Sequence, residues 1–291
     1  MHEVASPYHD GELEVQRRAG VGDQAAEVGR IVAATISSAA ARFLAGQRLA
    51  VAASLEAGAQ PWASLLTGPP GFLLPVDERL LRVAFQPQAG DPLVANVRTR
   101  PELGLLVLDP ATRRRMRLNG RGLLREDGLF LFTEQVYGNC PKYIQKRRLV
   151  ASSSEPPSTP ARGARLDARQ QDWIARADTF FIASFHPKGG ADASHRGGNP
   201  GFVRVLDASR LAFPDYVGNN MFNTLGNLAH HPQAGLLFVD FESGDVLQLA
   251  GRASLHWQPE RTVEFQVSAV LETRRASALR FELLEYSPSN P

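Results

Sequence analysis

DASHRGGNPGF, residues 192–202, has a counterpart in WASLLTGPPGF, residues 62–72. The two align without a gap at Ala63/Ala193, Ser64/Ser194, Pro70/Pro200, Gly71/Gly201 and Phe72/Phe202, a spacing of 130 residues. RPELGLLV (100–107) likewise lies over HPQAGLLF (231–238), and LNGRGLL (118–124) over LAGRASL (249–255), at a spacing of 131 residues. Three blocks that keep their order and spacing read as a duplicated domain.

Each copy opens on two runs of strand-forming residues around a glycine-containing turn, QRLAVAASLEAGAQPWASLLTG and TFFIASFHPKGGADASHRGG, and so begins with a hairpin. A short third strand follows (LLRVAF, RLAF), then three longer ones, making about six antiparallel strands per copy and a small barrel. NNMFNTLGNLAHHP places Met221, Leu225 and Leu228 at helical spacing ahead of Pro232, which predicts a short helix. Ahead of the first copy, GDQAAEVGRIVAATISSAAARFLAG reads as one helix, and residues 1–20 read as an extension. ASSSEPPSTPARGAR (151–165) is rich in Ser, Pro and Gly and lacks apolar periodicity, the composition of a linker. The expected organisation is an N-terminal extension and helix over 1–45, a first barrel over 46–150, a linker over 151–165 and a second barrel over 166–291.

The 32 basic and 30 acidic residues nearly cancel, so charge balance alone argues for neither a nucleic-acid partner nor a membrane-surface one. RRRMR (113–117) and QKRR (145–148) lack interleaved aromatic residues and read as a solvated strand end and helix face. One cysteine, Cys140, excludes an intrachain disulfide and fits a reducing compartment. No apolar run reaches the ~18–20 residues of a membrane helix, and the first twenty residues are acidic rather than basic-then-apolar. A cytoplasmic protein is expected. His230 and His231 find no third ligand at suitable spacing, and no metal site is expected.

The copies differ where a ligand would sit. SLLTGPPGF in the first is apolar, whereas SHRGGNPGF in the second carries His195, Arg196, Gly197 and Gly198. AGDPLVANV in the first corresponds to the amide-rich VGNNMFNTLGNL in the second. An arginine beside a helix start that offers free N–H groups, with Asn219, Asn220 and Asn223, suits a phosphate monoester. Glycines at 197, 198 and 201 would let a flat ring approach the backbone. The same residues also fit a tight turn, a surface arginine and a ligand-free helix cap. His195 equally fits a ligand donor or a solvent-facing turn residue.

ADASHRGGNPGFVRVLD and LAFPDYVGNNMFNTLGNLAHHPQAGLLFVDFESGDVLQLAGRA in the second copy, with PWASLLTGPPGF and VYGNCPKYIQKR in the first, resemble the pyridoxamine 5′-phosphate oxidase-like, FMN-binding split-barrel superfamily. The resemblance is to its double-barrel members and runs from about residue 45 to the C-terminus. It implies a mainly β fold with short helices: two tandem six-stranded antiparallel split barrels packed as a pseudo-dimer within one chain. It implies one noncovalent FMN between them, with the first barrel holding none of its own. By similarity, Ser194, His195, Arg196, Gly197, Asn219, Asn220, Met221 and Asn223 would hold the phosphate and ribityl chain. Gly201, Phe202 and Val203 would lie near the ring, and Asn139, Lys142 and Tyr143 would reach in from the first copy. The basic pair that true pyridoxamine phosphate oxidases carry at the helix start is missing, with Asn223 and Thr224 thereabouts. The implied function is an FMN-dependent oxidoreductase acting on a small-molecule substrate, supplied by a separate flavin or ferredoxin-type reductase, with a homodimer compatible and no catalytic acid or base required. A non-catalytic flavin-storage protein and a haem-binding split barrel are the alternatives.

Overall fold

The computed structural model describes residues 6–153 and 155–291; residues 1–5 of the expected extension and Ser154 of the expected linker lie outside the described residues. Two curled antiparallel sheets carry the fold. The first is built from β1 (Leu49–Leu55), β2 (Pro61–Thr67), β3 (Leu73–Pro75), β4 (Leu80–Val83), β5 (Glu102–Asp109), β6 (Arg114–Arg125) and β7 (Gly128–Asn139), in the order β2-β1-β5-β6-β7-β4-β3. Next come β8 (Lys146–Ser152) and β9 (Ala161–Gly163). The second sheet uses β10 (Thr179–His186), β11 (Gly190–Gly197), β12 (Arg204–Asp207), β13 (Arg210–Pro214), β14 (Gln233–Val239), β15 (Val246–His256) and β16 (Thr262–Thr273). Its order, β11-β10-β14-β15-β16-β13-β12, repeats the first. The chain is mainly β, arranged as two tandem split barrels.

Each sheet has a seventh strand, β3 or β12, beyond the six expected; at 3 and 4 residues these are too short to show a period in sequence. The stretch expected to be a linker contributes β9, which pairs with β16. The C-terminal β17 (Leu279–Glu285) returns to pair with β8, so the chain end is fastened to the segment that leaves the first barrel.

β1 and β10 are buried along their whole length, because each is covered on both faces. One face looks into its own barrel, and the other meets the neighbouring barrel. There Val51, Ala53, Leu65 and Leu106 pack with Phe181, Ala183, Ala193 and Leu237 in one apolar layer. Burying side chains of this size contributes roughly 1.5–3 kcal/mol each, enough to hold the barrels face to face. Two glycines permit the close approach: a Cβ on Gly104 would strike the Ala191 carbonyl oxygen, and one on Gly235 would come within 2.6 Å of the Pro61 carbonyl oxygen. Both occupy the same place in the repeated AGLLF/LGLLV blocks. Trp62 closes the layer against Ala250 and Leu271, with its indole N–H donated to Glu56.

Helices α1 (Asp10–Ala19), α2 (Gly22–Gly29) and α3 (Ser38–Ala45) precede the barrels, α4 (Leu93–Thr99) belongs to the first, and α5 (Ala168–Arg176) and α6 (Asn223–His230) to the second. The single helix expected over 22–45 is broken. Ala33 pairs with Val136, and Ser37 caps a new helix by accepting from the Ala40 amide. The expected extension instead forms α1, whose His9 and Glu12 make a reciprocal N-terminal cap. Residues 30–37 include β-branched Ile31, Val32, Thr35 and Ile36, which disfavour continuing the helix. α6 begins two residues after Met221, because Asn220 and Phe222 adopt left-handed backbone.

Candidate functional site

Where the barrels meet, a cleft of about 100 Å³ opens to solvent. One wall comes from the second barrel: Ser194, His195, Arg196 and Gly197 on β11, and the loop from Pro214 to the start of α6. The other comes from the first barrel: Arg115 and Arg117 on β6, Asn139 at the end of β7, and Cys140, Lys142 and Tyr143 just beyond it. The floor carries Ser194, whose hydroxyl lies 3.0 Å from Thr224 Oγ1 and accepts from the Arg117 guanidinium. Arg117 is 4% exposed and also pairs with Asp192 Oδ1 at 3.0 Å.

The start of α6 faces this cleft without a cap. Phe222, at the N-cap position, has no oxygen to offer, and no side chain caps the helix. The amides of Asn223, Thr224 and Leu225 therefore stand free at the positive end of the helix dipole. The matching location in the first barrel is closed. There the carboxylate of Asp91 accepts from the Leu93 amide at the start of α4 (2.9 Å), from the Ser64 hydroxyl (2.7 Å) and from Gln248 Nε2 (3.0 Å). Burial raises the Asp91 pKa above the usual carboxylate range, and those three donors oppose the rise. Ser64 and Gln248 hold the places that Ser194 and Arg117 hold in the open copy. Even the supporting bond repeats: Asn96 donates to Ser54, and Asn227 to Ser184.

The cleft is cationic. Arg196 lies 3.8 Å from Asp215, a carboxylate already engaged by Arg261 at 3.0 Å. Burial lowers the pKa of the Arg196 guanidinium, and Asp215 only partly restores it. Burial also pushes Arg115 down to about 10, and the neighbouring Arg196 and Arg117 add to that fall. Three residues at the rim, Tyr143, Asn220 and Phe222, have left-handed φ values of 66°, 62° and 59°, conformations that cost a non-glycine residue energy and concentrate at ligand sites.

Of the residues singled out from sequence, Ser194, His195, Arg196, Gly197, Phe202, Asn219, Asn220, Asn223, Asn139, Lys142 and Tyr143 line this cleft. Gly201 borders a different surface groove, Val203 is in the second barrel's core, and Met221 packs with Tyr8, Ala25 and Tyr137. The side chain of Asn223 turns away, donating to Glu12 Oε1 at 2.5 Å, so α6 offers its backbone rather than this amide. The glycines have other uses than approach by a flat ring. A Cβ on Gly197 would strike the Tyr143 carbonyl oxygen, one on Gly198 would lie 2.6 Å from the Phe202 ring, and Gly201 has φ +94° in the turn. His195 is a buried strand residue, 5% exposed, rather than a solvent-facing turn residue. Arg115 and Arg117 were missed because RRRMR reads as a solvated run; on β6 they alternate onto one face while Arg114 points to solvent.

His9, Asp10 and His186 bring donor atoms close enough to share an ion, and His230 lies 3.2 Å from His186. Hydrogen bonds already account for their nitrogens. His9 Nδ1 accepts from the Gly11 and Glu12 amides, and its Nε2 faces Asn227 Oδ1 at 2.8 Å. His186 Nδ1 accepts from the Lys188 amide, which leaves its Nε2 to donate to Asp10 Oδ1 (3.1 Å) or His230. A ligating imidazole would have to donate from the nitrogen that here accepts. The group works as a clasp between α1, β10 and α6.

Residues 166–288 match the family model described as pyridoxamine 5′-phosphate oxidase. In the second barrel, the match covers β11, the α6 start and the strands that hold them. No curated protein sequence matches the chain. Among solved structures, a putative pyridoxamine 5′-phosphate oxidase from Lactobacillus delbrueckii is 16% identical, covering 36% of this chain and 93% of its own, with a TM-score of 0.31. A FAD-binding protein from Mycobacterium smegmatis is 14% identical over 40% of this chain and 98% of its own, with a TM-score of 0.29. A FAD-binding protein from Mesorhizobium loti is 9% identical over 40% and 98%, with a TM-score of 0.29. No helix of the described residues is long and apolar enough to cross a membrane.

Proposed function

We propose that the protein binds FMN in the inter-barrel cleft and serves as a flavin-dependent oxidoreductase for a small substrate. One observation carries the reading: α6 opens uncapped onto a cationic cleft, at the position where the first barrel places its own carboxylate, Asp91. The open copy lacks an anion that the closed copy supplies from within. A phosphate monoester fits that place, accepting from the free amides of α6, from the Ser194 hydroxyl and from Arg196. The two barrels read as copies of which one kept the ligand and the other sealed its site.

Bound FMN supplies hydride or electron transfer at its ring. The chain's own part is to bind and shield. The α6 amides and Arg196 fix the anionic end, the Ser194–Thr224–Arg117 floor keeps those donors in place, and Tyr143 and Tyr216, with ring centroids 5.2 Å apart, wall the mouth. Electrons would come from a separate flavin or ferredoxin-type reductase.

The test is direct. Purified protein should carry a flavin absorption band or quench FMN fluorescence on titration, and should bind FMN more tightly than riboflavin, which lacks the phosphate. Reduction by a nicotinamide donor or reductase, followed by reoxidation by an acceptor, would separate an oxidoreductase from a flavin store. A colourless protein that takes up no FMN removes the proposal.

A further inference from the structure

Where the first-barrel wall meets β11, the cleft holds a second set of unsatisfied donors that the phosphate cradle does not use. Arg115 Nη1 donates to His195 Nδ1 at 3.0 Å, and a guanidinium cannot accept, so the hydrogen of a neutral His195 sits on Nε2. That Nε2–H is buried and has no partner, and neither has Arg115 Nε–H. His195 stays neutral: burial, with Arg115, Arg196 and Arg147 nearby, drives its pKa well down. Among the described residues, Arg115 and Lys142 form no ion pair with a carboxylate, although both line the cleft. Register places them together, since Arg115 pairs with Asn139 across β6 and β7, three residues before Lys142. Every unmet group on this wall is a donor, and its two cations lack counter-charges. Leaving the buried His195 and Arg115 donors unanswered is costly, and Lys142 adds an exposed positive charge at the mouth, so this corner of the cleft calls for an acceptor-rich anion.

We infer that Arg115 and Lys142 of the first barrel, with His195 of β11 beside them, form a second anion subsite, which holds a carboxylate or phosphate of the substrate. The inference rests on the flavin reading and narrows it: substrates bearing an anionic group are accepted, and neutral ones of the same shape are not. The cleft would then grip two anions from two molecules. The cofactor's phosphate lies against the second barrel, and the substrate's charge against the first. No covalent step is involved.

The experiment uses the FMN-loaded protein and three probes: benzoate, phenyl phosphate and benzyl alcohol, followed through their perturbation of the flavin spectrum. At least one anion should bind about tenfold or more tightly than benzyl alcohol. Comparing benzoate with phenyl phosphate identifies which anion the wall prefers. In R115Q that advantage should fall by about tenfold, while the preference for FMN over riboflavin survives. R115K, which keeps charge without the planar fork, should recover part of it.

Equal binding of all three probes overturns the inference, as does an anion advantage unchanged in R115Q. Loss of the FMN-over-riboflavin preference in R115Q also overturns it, because Arg115 would then serve the cofactor's own phosphate. If R115Q fails to fold, the same titrations on K142M decide, with the same expectations. If the protein takes up no flavin, calorimetry of the three probes against the protein as purified separates the two ideas. Anion-selective binding that R115Q abolishes would sustain the subsite while the flavin reading falls, and no selectivity would end both.

Discussion

At the scale of single residues, the contrast between Asp91 and the open start of α6 is the most informative pair in the molecule. Asp91 satisfies a helix amide, a hydroxyl and a glutamine from within the chain. Replacing it by alanine should destabilise the first barrel by about 1–3 kcal/mol, the cost of an uncapped helix and unpaired buried donors. A reduced urea midpoint, with the flavin site intact, is the expected result. Arg196→Gln tests the open copy. Losing a charge-assisted hydrogen bond should weaken FMN by about 1.5–3 kcal/mol and leave riboflavin affinity nearly unchanged, as fluorescence titration would read. Sequence made much of the β11 wall legible, because His195, Arg196 and the asparagines differ plainly from their counterparts in the first copy. It hid Arg115 and Arg117, whose role depends on a contact between strands 75–80 residues apart. Nothing local in RRRMR distinguishes arginines facing a neighbouring barrel from arginines facing water, save the period-two alternation of a strand.

Among the elements, α1 matters more than its place at the edge of the sequence suggests. It lies against α6 so closely that a Cβ on Gly11 would strike the Gly226 carbonyl oxygen, and Gln16 holds the Met221 carbonyl at 3.1 Å. The histidine clasp secures the other end of this contact. Burial holds the His186 pKa down at about 4, against an ordinary value of 6.5, with the stacked His9 ring adding to the fall. A group depressed on folding binds fewer protons in the native state, so its contribution is complete above pH 6.5 and is lost as the pH falls toward 4. Unfolding followed against pH should therefore show stability declining through that window, and His186→Gln should flatten this part of the decline. The sequence announced α6 through its apolar spacing and Pro232. It concealed α1, because the acids there served as evidence against a leader segment while also capping a helix. It concealed the break between α2 and α3, because a tertiary pairing of Ala33 with Val136 overrides an otherwise continuous helical pattern.

For the whole molecule, the repeated blocks in the sequence correspond to two sheets of identical strand order, and the fully buried β1 and β10 reveal that each is covered twice. What the blocks left out is the packing that sets the cleft width. Gly104 and Gly235 bring each barrel's β5-type strand onto the other's hairpin. Gly104→Ala should push the Ala191 backbone away and cost about 1–3 kcal/mol as overpacking without relief, lowering the melting temperature and FMN affinity together. A melting temperature that falls with unchanged FMN binding would show that cleft width is set elsewhere.

The return of β17 to β8 ties the two barrels at both ends of the second one. Two separate subunits would assemble such a cleft only above some threshold of protein, and would come apart as the solution thins. Here the opposing walls share one polypeptide, so the site should persist at any dilution. Either wall can also drift in evolution without its change being imposed on the other.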